Sequence, residues 1–339
     1  MAFKNTLPYL AQGGKIDPLS EIRNAGIVTS GSVMWVKPST DLDYVPFKDQ
    51  VGNDNLREDI QSAVNALRSD MNDYIMICPK NGGTAYKLGT ALDIDEDKLH
   101  LIGVGYSKAK NSYTVTVEGN YGTVPDTEVA YVTGNGVEVS GIRFLGTLGT
   151  NDGGTMSNGV AYLAGHDFWA KDCVFEDSTA LWGTPPLVRG KGTAAHDARF
   201  DDCNFALTGG ANVESAGNSA MVIGGNGNKR WVFNDCSFTM TAGSTTESFF
   251  SPGTGAKVYT KFNQCYFGCN GTTHSVASAI TGSTTANNPV LLNYCGLFSV
   301  AVAGTDPNVF AIPTQSGTAA AGLHNPNKYY IGTVGVPAA

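Results

Sequence analysis

The sequence is poor in charged residues, and acidic residues outnumber basic ones. Among 339 residues, 22 are Lys or Arg and 30 are Asp or Glu, so 15% of the chain is charged and the net charge is −8. No basic cluster is available to contact phosphates, which argues against nucleic-acid binding as the main function. Low charge together with 42 glycines is typical of an all-β, turn-rich protein.

Membrane and targeting segments are also missing. No apolar run approaches the length of a transmembrane helix, so we expect no membrane insertion. Residues 1–5 lead to no apolar core of signal-peptide length, and we therefore expect the protein to be made and folded in a cytoplasm. Free thiols would agree with that compartment.

Common catalytic and cofactor motifs are absent from the sequence. It contains no Gly-x-Ser-x-Gly, no HExxH and no P-loop, and Gly103-Val104-Gly105 is not followed by a dinucleotide-binding pattern. The stretch Gly224-Gly225-Asn226-Gly227-Asn228 is similar to a calcium-binding glycine repeat, but it lacks the Asp and occurs once, so we interpret it as a turn. We assign no catalytic, cofactor-binding or metal-binding residue, and no cofactor.

What the chain does contain is a short motif that recurs five times in its second half. Each copy has an aromatic or aliphatic residue, two residues that are usually polar, a Cys, one further residue and a hydrophobic residue. The cysteines follow at intervals of 30, 33, 29 and 30 residues, and a sixth copy, with Ile142 in the Cys position, lies 31 residues before Cys173. A fixed period of this length predicts a solenoid. The five cysteines are Cys173, Cys203, Cys236, Cys265 and Cys295.

The spacing inside the motif predicts a bend. Side chains alternate along a strand, so the Cys and the residue two positions later share one strand face. The residue three positions before the Cys has the wrong parity for that face, and a tight two-residue bend is needed to turn both inward. We assign the left-handed conformation of this bend to the residue two positions before the Cys, where Asp and Asn prevail. Those residues are Lys171, Asp201, Asn234, Asn263 and Asn293.

Further strand-like segments at 187–189 and 221–223 precede the next copies of the motif. Each period thus holds about three short strands and one variable loop, without helices. We predict an all-β fold, a single-stranded parallel β-helix of about six or seven coils. At about 4.8 Å per coil, the rod would be on the order of 30 Å long. Parallel crossovers are nearly always right-handed, so the β-helix is predicted to be right-handed.

The cysteines are expected to form a column inside this rod, because Cys is small, apolar and often fully buried. Disulfides and a metal site stay open as alternatives. The total of seven cysteines is odd, no pair forms a CxxC, and only Cys265 and Cys269 are close, as a CxxxC. Successive members of the column would lie near one rung spacing, so disulfide geometry is possible but not favoured. We favour thiols that are unreactive in the native protein and reactive after unfolding.

Four segments are predicted along the chain. Residues 1–50 lack a clear period and are interpreted as an arm or docking segment, with one strand at 33–37. Residues 51–97 hold a capping helix and the entry strands, residues 98–300 form the parallel β-helix, and residues 301–339 form a cap or tail with a strand at 329–336.

The capping helix is predicted at 54–71, where apolar residues fall on one helix face and N-cap side chains precede them. Such a helix would cover the apolar interior at the open end of the rod. The apolar residues are Leu56, Ile60, Ala63, Val64 and Leu67, and the candidate N-caps are Asn53, Asp54 and Asn55.

Three stretches resemble known β-helix proteins over about residues 33–300. Leu99-His100-Leu101-Ile102-Gly103-Val104-Gly105 and Gly136-Val137-Glu138-Val139-Ser140-Gly141-Ile142-Arg143-Phe144 resemble early coils of pectate-lyase-like β-helices. The stretch from Trp35-Val36-Lys37-Pro38 to Ile75-Met76-Ile77-Cys78-Pro79 resembles the entry segment of phage-encoded β-helix proteins. The resemblance implies a virion component such as a capsid decoration protein, head fibre or tailspike-like protein. It also implies a homotrimer in contact with the major capsid protein or other virion proteins.

Asp172, Asp202 and Asp235 recur at one position of the repeat. A column of carboxylates could bind calcium, but Gln264 and Tyr294 interrupt it, so we interpret these acids as turn residues.

A second group of candidate residues lies around the loop that follows the Cys173 copy. Trp is a common sugar platform and paired carboxylates can do acid–base work, so a polysaccharide lyase or hydrolase stays open as an alternative. A non-catalytic glycan-binding β-helix is a further one. The group comprises Glu176, Asp177, Trp182 and Arg189, with His166 and His196 nearby in sequence.

The leading hypothesis is a non-enzymatic structural protein of a bacteriophage virion, displayed on the particle surface and aiding attachment to a host surface glycan.

Overall fold

The computed structural model describes residues 31–68, 70–105, 115–120, 128–147, 160–177, 186–190, 197–207, 220–224, 228–240, 248–251, 257–269 and 290–299. Within them lie two α-helices, α1 (Tyr44–Val51) and α2 (Ile60–Val64), and 3-10 turns at Asn53–Asn55 and Asn81–Gly83. The strands are β1 (Val33–Val36), β2 (Leu56–Arg57), β3 (Tyr74–Ile77), β4 (Tyr86–Leu88), β5 (Leu92–Ile94), β6 (His100–Gly103), β7 (Val115–Asn120), β8 (Ala130–Val132), β9 (Glu138–Ser140), β10 (Ile142–Thr147), β11 (Ala161–Leu163), β12 (Phe168–Lys171), β13 (Val174–Asp177), β14 (Val188–Gly190), β15 (Ala198–Asp201), β16 (Asn204–Leu207), β17 (Ala220–Ile223), β18 (Asn228–Asn234), β19 (Ser237–Met240), β20 (Ser248–Ser251), β21 (Lys257–Asn263), β22 (Tyr266–Cys269), β23 (Val290–Asn293) and β24 (Gly296–Ser299).

The strands form three parallel sheets, and neighbours within a sheet come from successive coils. Sheet A has the order β2-β1-β3-β6-β9-β12-β15-β18-β21-β23, sheet B the order β4-β7-β10-β13-β16-β19-β22-β24, and sheet C the order β5-β8-β11-β14-β17-β20. In the described residues, the coils of Cys173, Cys203 and Cys236 each contribute one strand to each sheet, and the coils of Cys265 and Cys295 contribute strands to sheets A and B. The predicted right-handed, single-stranded parallel β-helix is therefore confirmed.

Sheet A is longer than the Cys repeat predicted. Its ten strands exceed the six or seven predicted coils, because the first coils are built from strands without the Cys motif. Nine strand-to-strand steps of about 4.8 Å make the sheet about 43 Å long.

The bend predicted from parity joins sheet A to sheet B in every Cys copy. In one coil, Phe200, Cys203 and Phe205 are all buried, as predicted. The residue in the left-handed conformation was predicted one position too early: positive φ occurs directly before the Cys, at 54° for Asp202. The residue two positions before the Cys ends the sheet A strand instead. The other left-handed bend residues are Asp172, Asp235, Gln264 and Tyr294, with Gly141 in the Ile142 copy.

The position two before the Cys carries a ladder of hydrogen-bonded side chains. Asn234 Nδ2 donates to Asp201 Oδ1 over 2.6 Å, and Asn263 Nδ2 donates to Asn234 Oδ1 over 2.5 Å. Asn293 Nδ2 continues the series to Asn263 Oδ1 over 2.7 Å. Identical amides in register pair with one another from coil to coil, so Asn is favoured here for the ladder rather than for its backbone conformation.

The cysteines of the repeat form the predicted interior column. Its five cysteines are buried thiols that form no disulfide. Cys203 Sγ donates to the carbonyl oxygens of Asp201 over 3.4 Å and of Ala170, in the preceding coil, over 3.5 Å. The same two contacts recur along the column, so a weak S–H donor fits the bend better than an alkyl group would. Burial, with further thiols in the coils on either side, raises the pKa of Cys203. The other members are Cys173, Cys236, Cys265 and Cys295.

Stacked phenylalanine rings fill the interior beside the thiols. On sheet A, Phe233 stacks on Phe200 with ring centroids 4.9 Å apart and on Phe262 with centroids 4.8 Å apart. On sheet B, Phe238 stacks in the same way on Phe205 at 4.7 Å and on Phe267 at 4.9 Å. Equal residues at equal positions of each coil let the rings repeat at the strand spacing.

Two polar atoms in this interior have no hydrogen-bond partner among the described residues. Trp231 Nε1 and Thr260 Oγ1 are both buried, and their residues pair with each other in adjacent coils. Because an unsatisfied buried hydroxyl costs about 1–3 kcal/mol, we expect Thr260→Val to raise the free energy of unfolding by about 1 kcal/mol in urea denaturation. The same replacement at Thr239, which is half-buried on the outer face of sheet B, should leave it within about 0.5 kcal/mol of its original value. A destabilised Thr260→Val protein would contradict this interpretation.

The predicted capping helix is shorter than expected. Instead of 54–71 it spans Ile60–Val64, because Leu56 and Arg57 pair with β1 as the strand β2. Its N-cap is Asp59, whose carboxylate accepts from Ser62 N over 2.7 Å, and not one of the residues at 53–55. Ile60, Ala63, Val64 and Leu67 do join the apolar interior of the first coils, as the pattern predicted.

Helix α2 also covers an exposed sheet edge. Gln61 Oε1 accepts from the backbone N of Asp93 over 2.8 Å, and Gln61 Nε2 donates to the Asp93 carbonyl oxygen over 3.0 Å. Asp93 lies in β5, the first strand of sheet C. The side-chain amide thereby takes the place of a neighbouring strand and blocks the edge against further pairing.

Helix α1 was not predicted and lies within the segment interpreted as an arm. Its Phe47 packs edge-on against Trp35, with centroids 5.3 Å apart, on the outer face of sheet A. The buried Lys37 ammonium binds Asp43 Oδ1 over 2.9 Å and Asp41 Oδ2 over 3.2 Å, and holds this segment to the first coil.

Residues 1–30 and the predicted strand at 329–336 lie outside the described residues. No helix in the described part of the chain is long and apolar enough to cross a membrane.

Candidate functional site

The repeated acids lie in the bends between sheets A and B. Asp172, Asp202 and Asp235 have φ of 51°, 54° and 53°, which is the conformation that Asp tolerates in turns. In the described residues, no group of three His, Cys, Asp or Glu side chains lies close enough together to hold a metal ion. The turn interpretation accounts for the repetition of these acids. Of the glycine-rich stretch 224–228, residues 225–227 lie outside the described residues.

The acids of the second candidate group do not converge. Glu176 lies on the outer face of β13, where its Oε2 is 2.8 Å from Arg143 Nη2 and 3.0 Å from Arg143 Nε. Asp177, the next residue, points to the opposite face and is only 1% exposed. Strand alternation therefore keeps the two carboxylates apart.

The other members of that group are dispersed or undescribed. Arg189 lies in sheet C, and His166 lies in the corner between sheets C and A, where its backbone N donates to Asn135 Oδ1 over 2.9 Å. Trp182 and His196 lie outside the described residues. Of the described candidates, Arg189 and His166 therefore lie in other parts of the coil than Glu176 in sheet B.

A different set of side chains does meet, on the outer wall of sheet A. Tyr74, His100, Glu138, Trp169 and Arg199 occupy one register position in five successive coils. We call this set the wall column. Four steps of about 4.8 Å separate its ends, so it runs about 19 Å along the rod.

His100 is held on three sides in the wall column. Its ring stacks on Tyr74 with centroids 4.3 Å apart and an interplanar angle of 7°. Its Nδ1 lies 2.7 Å from Glu138 Oε2, and its Nε2 lies 2.8 Å from Asn72 Oδ1. Burial, and then the nearby Glu138 carboxylate, raise the pKa of Tyr74. With both ring nitrogens engaged by side-chain oxygens, His100 is placed to brace the wall rather than to transfer a proton to a ligand.

Asp201 gathers the polar groups of the next coils. Its carboxylate accepts from Trp169 Nε1 over 2.8 Å, from Arg199 Nε over 3.0 Å and from Asn234 Nδ2 over 2.6 Å. The Arg199 guanidinium carbon lies 5.2 Å from the Trp169 ring centroid, a cation–π contact. A carboxylate with three donors is a fixed anchor, so Asp201 orients Trp169 and Arg199 and is unsuited to act as a general base.

The sequence did not single out these wall residues as a site. Trp169 and Asp201 are 32 positions apart, and neither was among the candidate catalytic or binding residues. The period of the repeat is the sequence signal that could have predicted that Trp169 and Asp201 are neighbours. One period separates Lys171 from Asp201, which places Trp169 and Asp201 in adjacent coils on the same outer face.

The corner before β15 supplies a pH-dependent contact. Asp197 accepts from the backbone N of Arg230 over 3.0 Å, from its Nε over 3.1 Å and from its Nη2 over 2.7 Å. The hydrogen bonds from Arg230 lower the pKa of Asp197, against the opposing effect of partial burial. Because the folded pKa is below the unfolded one, the stabilisation is present above the unfolded carboxyl pKa and is lost as pH falls through the folded value.

We therefore expect Arg230→Gln to lower the free energy of unfolding near neutral pH and to lower it by less at about pH 2, because protonation of the Asp197 carboxylate weakens the contact. The effect should be small, because the Arg230 side chain is 71% exposed and Asp197 is only partly buried. Urea denaturation at the two pH values measures it, with Lys171→Gln as a charge-matched control. A difference that is the same at both pH values would contradict the assignment.

Comparison with known proteins leaves the chain without an assigned family. No protein-family model matches it, and no curated protein does. Two crystal structures of the pectin methylesterase from Aspergillus niger are similar to it, one of the deglycosylated and one of the penultimately deglycosylated enzyme. Each has 13% sequence identity, covers 88% of this chain and 93% of the esterase chain, and has a TM-score of 0.49. A likeness of this degree concerns the β-helical fold and carries no argument about function.

Proposed function

We propose that the chain is a structural protein of a bacteriophage virion, a rigid rod that is displayed on the particle surface and aids host attachment. The observation that carries the proposal is the interior of the described coils, in which thiols and phenylalanine rings stack from coil to coil. Such an interior suits a mechanical role, because close-packed, repeated layers resist local deformation and proteolysis.

The outer surface supports the same proposal. A polysaccharide hydrolase needs two carboxylates at a defined separation around an open site. Glu176 and Asp177 point to opposite faces of β13, and Asp201 is occupied by three donors. The polar groups of the wall column and Asp201 therefore bind one another, which stabilises the rod.

Assembly and location follow from this role. We propose a homotrimer that contacts the major capsid protein or another virion protein through residues 1–50 or 301–339. A host surface glycan is the expected ligand of the exposed side wall.

Mass spectrometry and cryo-EM of purified particles from the phage that encodes the chain test the proposal. The rod should be visible on the particle surface, and peptides from all coils should be recovered in stoichiometric amount. Absence from particles, together with shortening of a host capsule polymer by the purified protein, would overturn it in favour of a polysaccharide depolymerase.

A further inference from the structure

Exposed tyrosines are concentrated in the last coils. Among the described residues, six large apolar side chains are highly exposed, and three of them are Tyr259 in β21, Tyr266 in β22 and Tyr294 in the bend between β23 and β24. Tyrosine combines a flat apolar ring with a polar end, which suits contact with a ligand that is both apolar and hydroxylated.

Tyr266 differs from the other two because glycines lie beneath its ring. A Cβ added to Gly268 would lie 3.2 Å from Tyr266 Cε1, and a Cβ added to Gly296 would lie 3.7 Å from Tyr266 Cδ2. Gly268 follows two residues later on the same strand face, and Gly296 pairs with Tyr266 in the next coil. Cε1 and Cδ2 are opposite corners of the ring, so the ring lies against both glycines, neither of which has a side chain to displace it.

The outer face of the flat ring is open. Tyr266 is 46% exposed, although its inner face rests on the sheet. In the next coil, Gly296 lies beside the ring and has no side chain that could cover it. An aromatic face of this kind accepts the C–H face of a pyranose ring, which is apolar, by stacking.

Hydrogen-bonding groups stand next to the ring in the same column of sheet B. Ser237 pairs with Tyr266, and Asn204 pairs with Ser237, in the two preceding coils. Ser237 Oγ donates to Asn204 Oδ1 over 3.1 Å, which orients the Asn204 amide, and the Nδ2 of that amide is a hydrogen-bond donor. Hydroxyl and amide groups one and two coils from an aromatic platform match the hydroxyl groups of a sugar chain that lies along the rod.

We infer that Tyr266, Ser237 and Asn204 form a binding site for a neutral polysaccharide, with one pyranose stacked on the Tyr266 ring where it lies against Gly268 and Gly296. The ligand is neutral because this stretch of the column, from Asn204 to Gly296, carries no charged side chain. The inference rests on the proposed attachment role for its biological meaning, while the site itself rests on the contacts above.

Isothermal titration calorimetry of the purified full-length chain tests the site. The probes are maltohexaose, cellohexaose and mannohexaose as neutral chains, and an oligogalacturonate as the acidic chain. At least one neutral probe should bind, and Tyr266→Ala should weaken that binding about three- to tenfold, the worth of one aromatic stack. Tyr266→Phe keeps the ring face and should stay within about twofold.

Matched variants separate binding from folding. Tyr259→Ala removes an exposed tyrosine from sheet A and should leave the affinity unchanged. Gly296→Val retains Tyr266 but adds a side chain where the ring contacts Gly296. This variant should weaken binding if the Tyr266 ring in its present position is the platform. These two variants keep the test decisive if Tyr266→Ala is destabilised.

Three results would overturn the site: no binding of any neutral probe, binding of the oligogalacturonate alone, or equal affinities for wild type and Tyr266→Ala. Particle localisation is independent of these results. A protein found in virions without sugar binding would refute the site alone, and sugar binding by a protein absent from virions would refute the virion role alone.

Discussion

Replacement of Phe233 by Ala is expected to lower the free energy of unfolding by about 3–5 kcal/mol, the usual cost of deleting a buried aromatic side chain. Phe233 is fully buried, stacks between Phe200 and Phe262, and meets the edges of Phe205 and Phe238. A solenoid coil contacts only its neighbours, so the lost ring leaves a cavity that adjacent coils cannot fill by rearranging.

Urea denaturation measures this loss, and Val232→Ala is the matched control. Val232 is the preceding residue of β18, but it points to the outer face and is half-buried. Its truncation should cost about 1 kcal/mol or less. Equal costs for the two variants would contradict the inward assignment of Phe233.

Asp201→Ala is expected to lower the free energy of unfolding by about 2–4 kcal/mol. The change removes the acceptor shared by Trp169 Nε1, Arg199 Nε and Asn234 Nδ2, and Asp201 itself is 9% exposed. The Asn234 amide then loses its partner at the start of the ladder, and the Trp169 indole becomes free to move.

Asp201→Asn provides the comparison for Asp201→Ala. Asn at this position extends the ladder of Asn234, Asn263 and Asn293 by one coil, and retains one acceptor oxygen. Its cost should be about half that of the alanine variant, and the fluorescence of Trp169 should change less. An alanine variant as stable as the asparagine variant would show that the three hydrogen bonds do not support the wall.

The architecture was predictable because one local pattern repeats at each level of the rod. The parity of Phe200, Cys203 and Phe205 required a bend, and the structure has one there. The bend residue was misassigned because Asp and Asn occupy both positions before the Cys, for different reasons. At Asp202 the backbone is left-handed, whereas at Asn234 the side chain pairs with the adjacent coil.

The entry segment was less predictable because tertiary contacts decide its elements. Short helices depend on packing more than on propensity, so α1 is stabilised by Phe47 against Trp35 rather than by its own sequence. Leu56 fits a helical pattern, yet its pairing with Trp35 in β1 makes it part of a strand. Propensity and spacing cannot decide between these outcomes without the partner strand.

The candidate sites were the least predictable part. Sequence proximity suggested Glu176 with Asp177, but alternation along β13 separates them. The contacts that do form, such as Trp169 with Asp201, join residues one period apart and become visible only when the coils are placed in register. The platform at Tyr266 likewise depends on strand register, because Gly296, one of the two glycines that contact its ring, lies one coil away in the sequence.

The central claim is that the Cys repeat marks the interior column of a β-helical rod. Alkylation of the native protein, followed by peptide mass spectrometry, tests it at each position. Cys173, Cys203, Cys236, Cys265 and Cys295 should stay unmodified in the native protein and react together, without a reductant, once urea unfolds it. Rapid modification of any of them in the native protein, or a need for reductant after unfolding, would contradict the account.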